Sequence, residues 1–187
     1  MAAPIDFYFD FSSPYGYLAS EKIEGFAAKH GRSVNWRPML LGATFKITGG
    51  KPLTEWPLKS DYAKKDMVRS ARFYGVPFKL PAPFPVGTVS ACRAFYATPK
   101  DKQAALAKAL YRAYFVEGVN IGETENVLKL AGNVDLNDQA IKDRTKAEVD
   151  AAIGKGVFGS PYFIVDGEAF WGIDRLEQLD RWLVEKF

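Results

Sequence analysis

Thiol and imidazole side chains are nearly absent from this chain of 187 residues, which contains one cysteine and one histidine. The single cysteine, Cys92, excludes an intramolecular disulfide, a dithiol redox centre and a cysteine-based zinc site. The single histidine, His30, removes most support for a serine–histidine–aspartate triad or a multi-histidine metal site. Any chemistry must therefore use hydroxyls, backbone amides, carboxylates, lysines or a borrowed group, and we expect no metal.

Long apolar runs and clusters of one charge are also missing. No uninterrupted stretch is long enough to span a membrane, and residues 1–4 lack the basic and apolar segments of a secretory leader. The 25 basic and 22 acidic residues are well mixed, and the formal net charge is only +3. This pattern argues against a dedicated DNA or RNA surface. We therefore expect a cytoplasmic globular protein with no nucleic-acid or membrane partner.

Aromatic residues are abundant, and they mark the first strand. Residues 5–11 alternate apolar and mostly polar side chains with a period of two, which predicts a strand, and Tyr8 indicates that both faces are covered. Ser12 or Ser13 can cap a helix that begins at Pro14 and runs to Lys29. A second strand over 33–40 and a long loop from about Gly42 to Pro57 follow.

The rest of the chain is helical until its last quarter. Helices are predicted over 60–74, 88–98, 102–117 and 123–131, with two more after residue 133, the later one starting at the capping box Thr145–Glu148. A hairpin over 162–171 turns at Asp166-Gly167, and a helix over 174–185 ends the chain. This order predicts an α/β protein with a thioredoxin-like domain (1–45 plus 135–187) interrupted by an inserted helical domain (46–134).

The tetrapeptide Ser13-Pro14-Tyr15-Gly16 lies between the first strand and the first helix, where a thioredoxin-like protein carries its two cysteines. Backbone amides at the start of a helix favour an anion such as a thiolate. An ordinary capping serine explains the same residues. We expect Cys92 to be a small buried residue within a helix and His30 to be structural.

Four segments resemble the 2-hydroxychromene-2-carboxylate isomerases, which are close relatives of the kappa-class glutathione transferases and of the DsbA-type thioredoxin group. The distinguishing combination is Gly-x-Phe-Gly-x-Pro followed by Gly-x-Asp-Arg. The segments are 9–18, 115–118, 156–161 and 171–176. The resemblance covers nearly the whole chain and implies a DsbA/kappa-class fold that binds glutathione.

The resemblance also implies roles for individual residues toward glutathione. Ser13 would hydrogen-bond the sulfur, with Ser12 as the local alternative, and Gly16 stands where many relatives carry a second serine. The backbone of Ser160 would pair with the cysteinyl part, and Pro161 would follow a cis peptide bond.

At the ends of glutathione, Asp174 would bind the γ-glutamyl amino group, and its sequence context also fits a helix N-cap. Ile173 stands where relatives often have a serine, and Lys51 would meet a carboxylate of glutathione. Tyr15, Trp56 and Phe84 are candidates for the apolar wall around an aromatic substrate.

The function that the resemblance implies is the glutathione-dependent interconversion of 2-hydroxychromene-2-carboxylate and trans-o-hydroxybenzylidenepyruvate in the degradation of aromatic compounds. A kappa-like transferase or peroxidase acting on another electrophile is the alternative. A second alternative is a non-catalytic binding module with the same fold. Relatives are commonly dimers, so a homodimer is expected.

Overall fold

A four-stranded mixed sheet forms the centre of the protein, whose computed structural model describes residues 2–187. Strand β1 (Ile5–Phe9) runs parallel to β2 (Val34–Pro38) and antiparallel to β3 (Tyr162–Val165), which pairs with β4 (Glu168–Trp171). The strand order is β2-β1-β3-β4, so β2 and β4 are the sheet edges. The sheet of the predicted thioredoxin-like core is therefore present.

Helices cover the sheet and form the region between β2 and β3. Short 3₁₀ turns occur at Leu53–Glu55 and Ile173–Arg175, and α6 ends in a π turn at Ala113–Glu117. Within the described residues the helices are α1 (Pro14–Ser20), α2 (Ile23–Lys29), α3 (Leu41–Thr48), α4 (Lys59–Tyr74), α5 (Val89–Ala97), α6 (Lys100–Arg112), α7 (Thr124–Ala131), α8 (Gln139–Gly154) and α9 (Leu176–Val184). No helix in the range 2–187 is long and apolar enough to cross a bilayer.

One hydrophobic core joins the sheet to the helical region. Phe9 of β1 is fully buried and packs against Phe95 of α5 and Tyr111 of α6, with ring centroids 6.2 and 5.7 Å apart. Tyr8, on the opposite face of β1, is also buried. This confirms that both faces of the strand are covered, and it means that the two predicted units share a core.

Two predictions in the first 60 residues, one of a helix and one of a loop, were wrong in part. The first helix is interrupted after Ser20, and α2 continues it to the predicted end at Lys29. Residues 41–48, predicted as loop, form α3, whose first N–H donates to the Asp10 carboxylate (Leu41 N to Oδ2, 2.8 Å). A carboxylate from a distant strand thus satisfies an orphan donor that no local side chain caps.

The predicted capping box was also wrong, because a single helix, α8, occupies the region where two were expected. Its N-cap is Asp138, whose carboxylate accepts from Ala140 N at 2.7 Å. Thr145 lies inside the helix, and its hydroxyl donates to the Ile141 carbonyl at 2.8 Å. The Thr-x-x-Glu pattern therefore does not mark a helix start here.

Cys92 and His30 have the structural roles expected of them. Cys92 is fully buried in α5, and burial raises the pKa of its thiol well above the ordinary value. His30 follows α2 and lies 2.7 Å from the Asp180 carboxylate of α9, so it ties two helices together.

Candidate active site

Ser13 lies in the turn between β1 and α1 and is the N-cap of that helix. Its Oγ accepts from Gly16 N at 3.0 Å and donates to the Ser160 carbonyl at 3.0 Å, and the residue is only 6% exposed. Ser12, the alternative cap, instead bonds the Asp10 carboxylate through its backbone N–H (2.8 Å). The structure therefore selects Ser13 as the hydroxyl that faces the loop before β3.

The loop before β3 lies against Ser13, and its Ser160–Pro161 peptide bond is cis, as the resemblance implied. Two bonds hold Ser160 to the end of β1: its carbonyl accepts from Ser13 Oγ, and its own Oγ accepts from Asp10 N at 3.0 Å. Residues 147 positions apart in the chain are thereby brought into direct contact.

Asp10 organises this junction, although the sequence pattern did not single it out. Its carboxylate is 3% exposed and accepts from Ser12 N, Leu41 N and Thr88 Oγ1 at 2.8, 2.8 and 3.0 Å. Burial raises the pKa of Asp10, and these hydrogen bonds oppose the rise. One carboxyl group thus joins the end of β1 to the starts of α3 and α5.

Position 16 leaves no space for a side chain. A Cβ on Gly16 would lie 2.6 Å from Ser160 Oγ, 2.7 Å from the Tyr111 hydroxyl and 3.2 Å from Ser13 Cβ. Tyr111, from α6, donates to the Asp10 carbonyl at 2.9 Å, and burial raises the pKa of its phenol, which stays protonated. The helical region therefore contributes a hydroxyl beside Ser13 that sequence analysis missed.

The turn at Ile173–Arg175 lies next to the cis-proline loop, because Gly172 N donates to the Pro161 carbonyl at 3.0 Å. The Asp174 side chain is 65% exposed and pairs with Arg175 at 3.2 Å. Asp174 does not cap α9, so that alternative was wrong. Ile173 is buried in the core, so only its backbone can meet a ligand.

Tyr15 lies where α1 meets α4. Its hydroxyl donates to Asp66 Oδ2 at 2.5 Å, and Arg69 pairs with the other oxygen of the same carboxylate at 2.7 Å. The hydrogen bond from Tyr15 lowers the pKa of Asp66, whereas burial raises the pKa of Tyr15. Sequence analysis did not identify Asp66 as a partner.

Three further candidates make their contacts elsewhere. Lys51 Nζ lies 4.7 Å from the Trp56 ring centroid, and Trp56 Nε1 donates to the Lys51 carbonyl at 3.2 Å. Phe84 is half-buried and packs against Tyr114 and Phe115. The structure thus unites Ser13, Ser160, Pro161 and the Gly172 turn, whereas the contacts of Lys51, Trp56 and Phe84 do not join that cluster.

Known proteins match this architecture over nearly its full length. The family described as the DSBA-like thioredoxin domain matches residues 4–184. A 2-hydroxychromene-2-carboxylate isomerase from Sphingobium xenophagum is 31% identical over 196 residues, covering 99% of this chain and 100% of the relative. Glutathione S-transferase kappa 2 from Caenorhabditis elegans is 26% identical over 209 residues, covering 98% and 92%.

A solved structure shows the same fold. A 2-hydroxychromene-2-carboxylate isomerase superposes with a TM-score of 0.81 at 28% identity, covering 95% of this chain and 92% of the other. The matches extend over nearly the whole chain and confirm the resemblance found in the four segments. This chain therefore belongs to the DSBA-like thioredoxin domain family, among the relatives of 2-hydroxychromene-2-carboxylate isomerases and kappa-class glutathione transferases.

Proposed function

We propose that this protein is a glutathione-dependent isomerase that interconverts 2-hydroxychromene-2-carboxylate and trans-o-hydroxybenzylidenepyruvate in the degradation of aromatic compounds. The observation that carries the proposal is the contact of the Ser13 hydroxyl with the cis Ser160–Pro161 loop, at the place where a dithiol enzyme of this fold would have cysteine. The isomerase relatives, which align over 94–99% of the chain, support it.

The protein's own sulfur is unsuited to act as the nucleophile. Cys92 is fully buried in α5, and its Sγ donates to the Pro38 carbonyl at 3.7 Å. Because burial raises its pKa, it stays a thiol, and a thiol is a poor nucleophile. A reactive thiolate would therefore have to come from a bound molecule.

The residues of the site fit glutathione. Ser13 offers a hydroxyl for the sulfur, the half-buried Ser160 offers backbone groups for the cysteinyl part, and the exposed Asp174 carboxylate suits the γ-glutamyl amino group. The Gly172–Pro161 hydrogen bond fixes these last two segments against each other. Lys51 remains a proposed partner for a glutathione carboxylate.

Bound glutathione would supply a nucleophilic thiolate for cis–trans isomerisation of the ring-opened, conjugated form of the substrate, in which addition and later loss of the same thiolate leave no net consumption of thiol. Ser13 would favour the thiolate by donating a hydrogen bond to it. Lowering a thiol pKa from ~8.5 toward neutrality needs only a few kcal/mol. Tyr15, Trp56 and Phe84 would supply the apolar wall around the substrate ring.

The direct test follows the ultraviolet spectrum of 2-hydroxychromene-2-carboxylate with purified protein, with and without reduced glutathione. We expect conversion only when glutathione is present and an unchanged thiol concentration at the end. Conversion at the same rate without glutathione would contradict the proposed dependence on glutathione. No conversion under either condition would contradict the proposed isomerase reaction.

The second candidate is a kappa-like transferase or peroxidase that uses the same glutathione site. The kappa-class relatives, at 26% identity, favour it. The fate of glutathione distinguishes the two functions, because a transferase or peroxidase consumes free thiol in proportion to product and an isomerase does not. A general electrophile and an organic peroxide are suitable probes.

A further inference from the structure

The side chain of Ser160 has a hydrogen-bonding arrangement different from that of Ser13. Ser160 Oγ accepts from Asp10 N at 3.0 Å, and within residues 2–187 no acceptor engages its proton. The proton of Ser13 is already donated to the Ser160 carbonyl at 3.0 Å. Ser160 therefore has a proton to offer a ligand as it stands, whereas Ser13 must first release the Ser160 carbonyl before it can donate to a sulfur.

The Ser160 hydroxyl also lies beside Ser13. The two serines lie on either side of Gly16. A Cβ on Gly16 would be 2.6 Å from Ser160 Oγ and 3.2 Å from Ser13 Cβ. Because Gly16 has no side chain, nothing from α1 separates the two serines at that point. Ser160 is also partly exposed, whereas Ser13 is nearly covered, so a ligand can reach it.

We propose that Ser160, through its side chain, is a second catalytic hydroxyl that donates a hydrogen bond to the sulfur of bound glutathione. This inference rests on the proposed glutathione site and adds to it. The bond from Asp10 N holds the oxygen of Ser160 in place, and the rotatable hydroxyl proton is left to be donated to a ligand. A preorganised donor stabilises a charged acceptor more than a neutral one.

The test compares glutathione with S-methylglutathione, which has the same backbone but no ionisable thiol. In Ser160→Ala, affinity for glutathione at neutral pH should fall about tenfold while affinity for S-methylglutathione changes little. The pKa of bound glutathione, followed by thiolate absorbance, should rise by about one pH unit. Calorimetry gives the affinities and needs no turnover.

Other outcomes separate the two proposals. Equal losses for both ligands would show that Ser160 only supports the loop, and no change for either ligand would show that its hydroxyl has no role; each result overturns the inference and leaves the glutathione site intact. Failure of the unmodified protein to bind either ligand would overturn the glutathione site itself.

A restored hydroxyl provides an independent check. Ser160→Ala with Tyr111→Phe removes both oxygens that obstruct position 16. Adding Gly16→Ser to that pair returns a hydroxyl from α1 to the same space. The pKa of bound glutathione should fall again relative to the double variant, and an unchanged pKa would contradict a role for a second hydroxyl.

Discussion

Ser13 has two roles that substitution can separate. Its hydroxyl caps α1 and bonds the Ser160 carbonyl, and under the proposed function it also stabilises a thiolate. Ser13→Ala should lower the free energy of unfolding by about 1 kcal/mol through the lost cap. It should lower kcat/KM by at least about tenfold, because a bond to a charged group is lost.

Ser12→Ala is the matched control for that prediction. Ser12 contacts the Asp10 carboxylate through its backbone N–H, which alanine keeps, and its hydroxyl adds a smaller effect that lowers the pKa of the same carboxyl. Urea denaturation measures stability, and the isomerase assay measures turnover. An equal or larger loss of turnover in Ser12→Ala would move the proposed role from Ser13 to Ser12.

At the residue scale, sequence identified the groups that lie next to one another in the chain. The Ser13 motif is local and could be read from a short segment, whereas the cis proline was implied by the family resemblance. Asp66, Tyr111 and the hydroxyl of Ser160 were missed because their partners are 51, 101 and 150 positions away. Nothing in the local pattern around these residues indicates which distant group they meet.

The turn that precedes α9 depends on a glycine, since Gly172 has a φ of +108° and a Cβ there would collide with the Asp174 carboxylate. Gly167 has a φ of +87° with nothing near its missing side chain. Gly172→Ala and Gly167→Ala should each lower stability by about 1 kcal/mol, from backbone strain. Only Gly172→Ala should also weaken glutathione binding, since it displaces Asp174.

Calorimetry with glutathione checks this difference, and chemical denaturation confirms that the two variants carry similar strain. If Gly172→Ala binds glutathione as tightly as Gly167→Ala does, Asp174 does not contact the ligand. That result would limit the proposed site to Ser13 and the cis-proline loop.

The contact between α1 and α4 should give stability a specific pH dependence. Tyr15 lowers the pKa of Asp66 below its ordinary value of 3.8, so the ionised carboxylate is favoured in the folded protein. A lowered folded pKa adds stability above the unfolded pKa, and that stability is lost as pH falls through the folded value. Tyr15→Phe should therefore destabilise by about 1 kcal/mol at neutral pH, with the deficit shrinking below pH ~4.

Urea denaturation between neutral and acid pH measures that deficit. Tyr62→Phe, which alters a largely exposed tyrosine on the same helix, should cost little at any pH. A deficit for Tyr15→Phe that stays constant on acidification would mean that packing of the ring, and not the ionised Asp66, links the two helices.

Among the elements, segments with strong periodicity were predicted correctly, whereas α3 and the start of α8 were not. Helix α4 and the β3–β4 hairpin agree with their predicted bounds to within two residues. Helix α3 was missed because Gly42 suggests a loop and because its first amide is satisfied by Asp10 rather than by a local cap. The Thr145 pattern misled because a threonine inside a helix can bond the preceding turn.

The sequence predicts a thioredoxin-like part (1–45 plus 135–187) and an inserted helical part (46–134). In the whole molecule these two parts share one hydrophobic core. Phe95 of the helical part is fully buried against Phe9 of the sheet. We propose that the division describes chain topology and that both parts unfold together. Tryptophan fluorescence and far-ultraviolet circular dichroism should then report one transition.

A pair of phenylalanine variants sharpens that prediction. Phe95→Ala should lower the free energy of unfolding by about 3–5 kcal/mol and shift both signals equally. Phe73→Ala, at a side chain 82% exposed, should change stability little. Separate transitions for the two signals, with only one of them moved by Phe95→Ala, would mean that the inserted helices form an independent folding unit.

The sheet order has a consequence for encounters between copies of the folded protein. An exposed sheet edge can recruit a strand from a second molecule, and short or proline-ended edge strands discourage this. Edge strand β2 ends at Pro38, which has no N–H, and edge strand β4 is four residues long. The next residue after β4, Gly172, already donates its N–H within the chain. Both edge strands therefore disfavour pairing with a strand of a second molecule, which is the step that leads to aggregation.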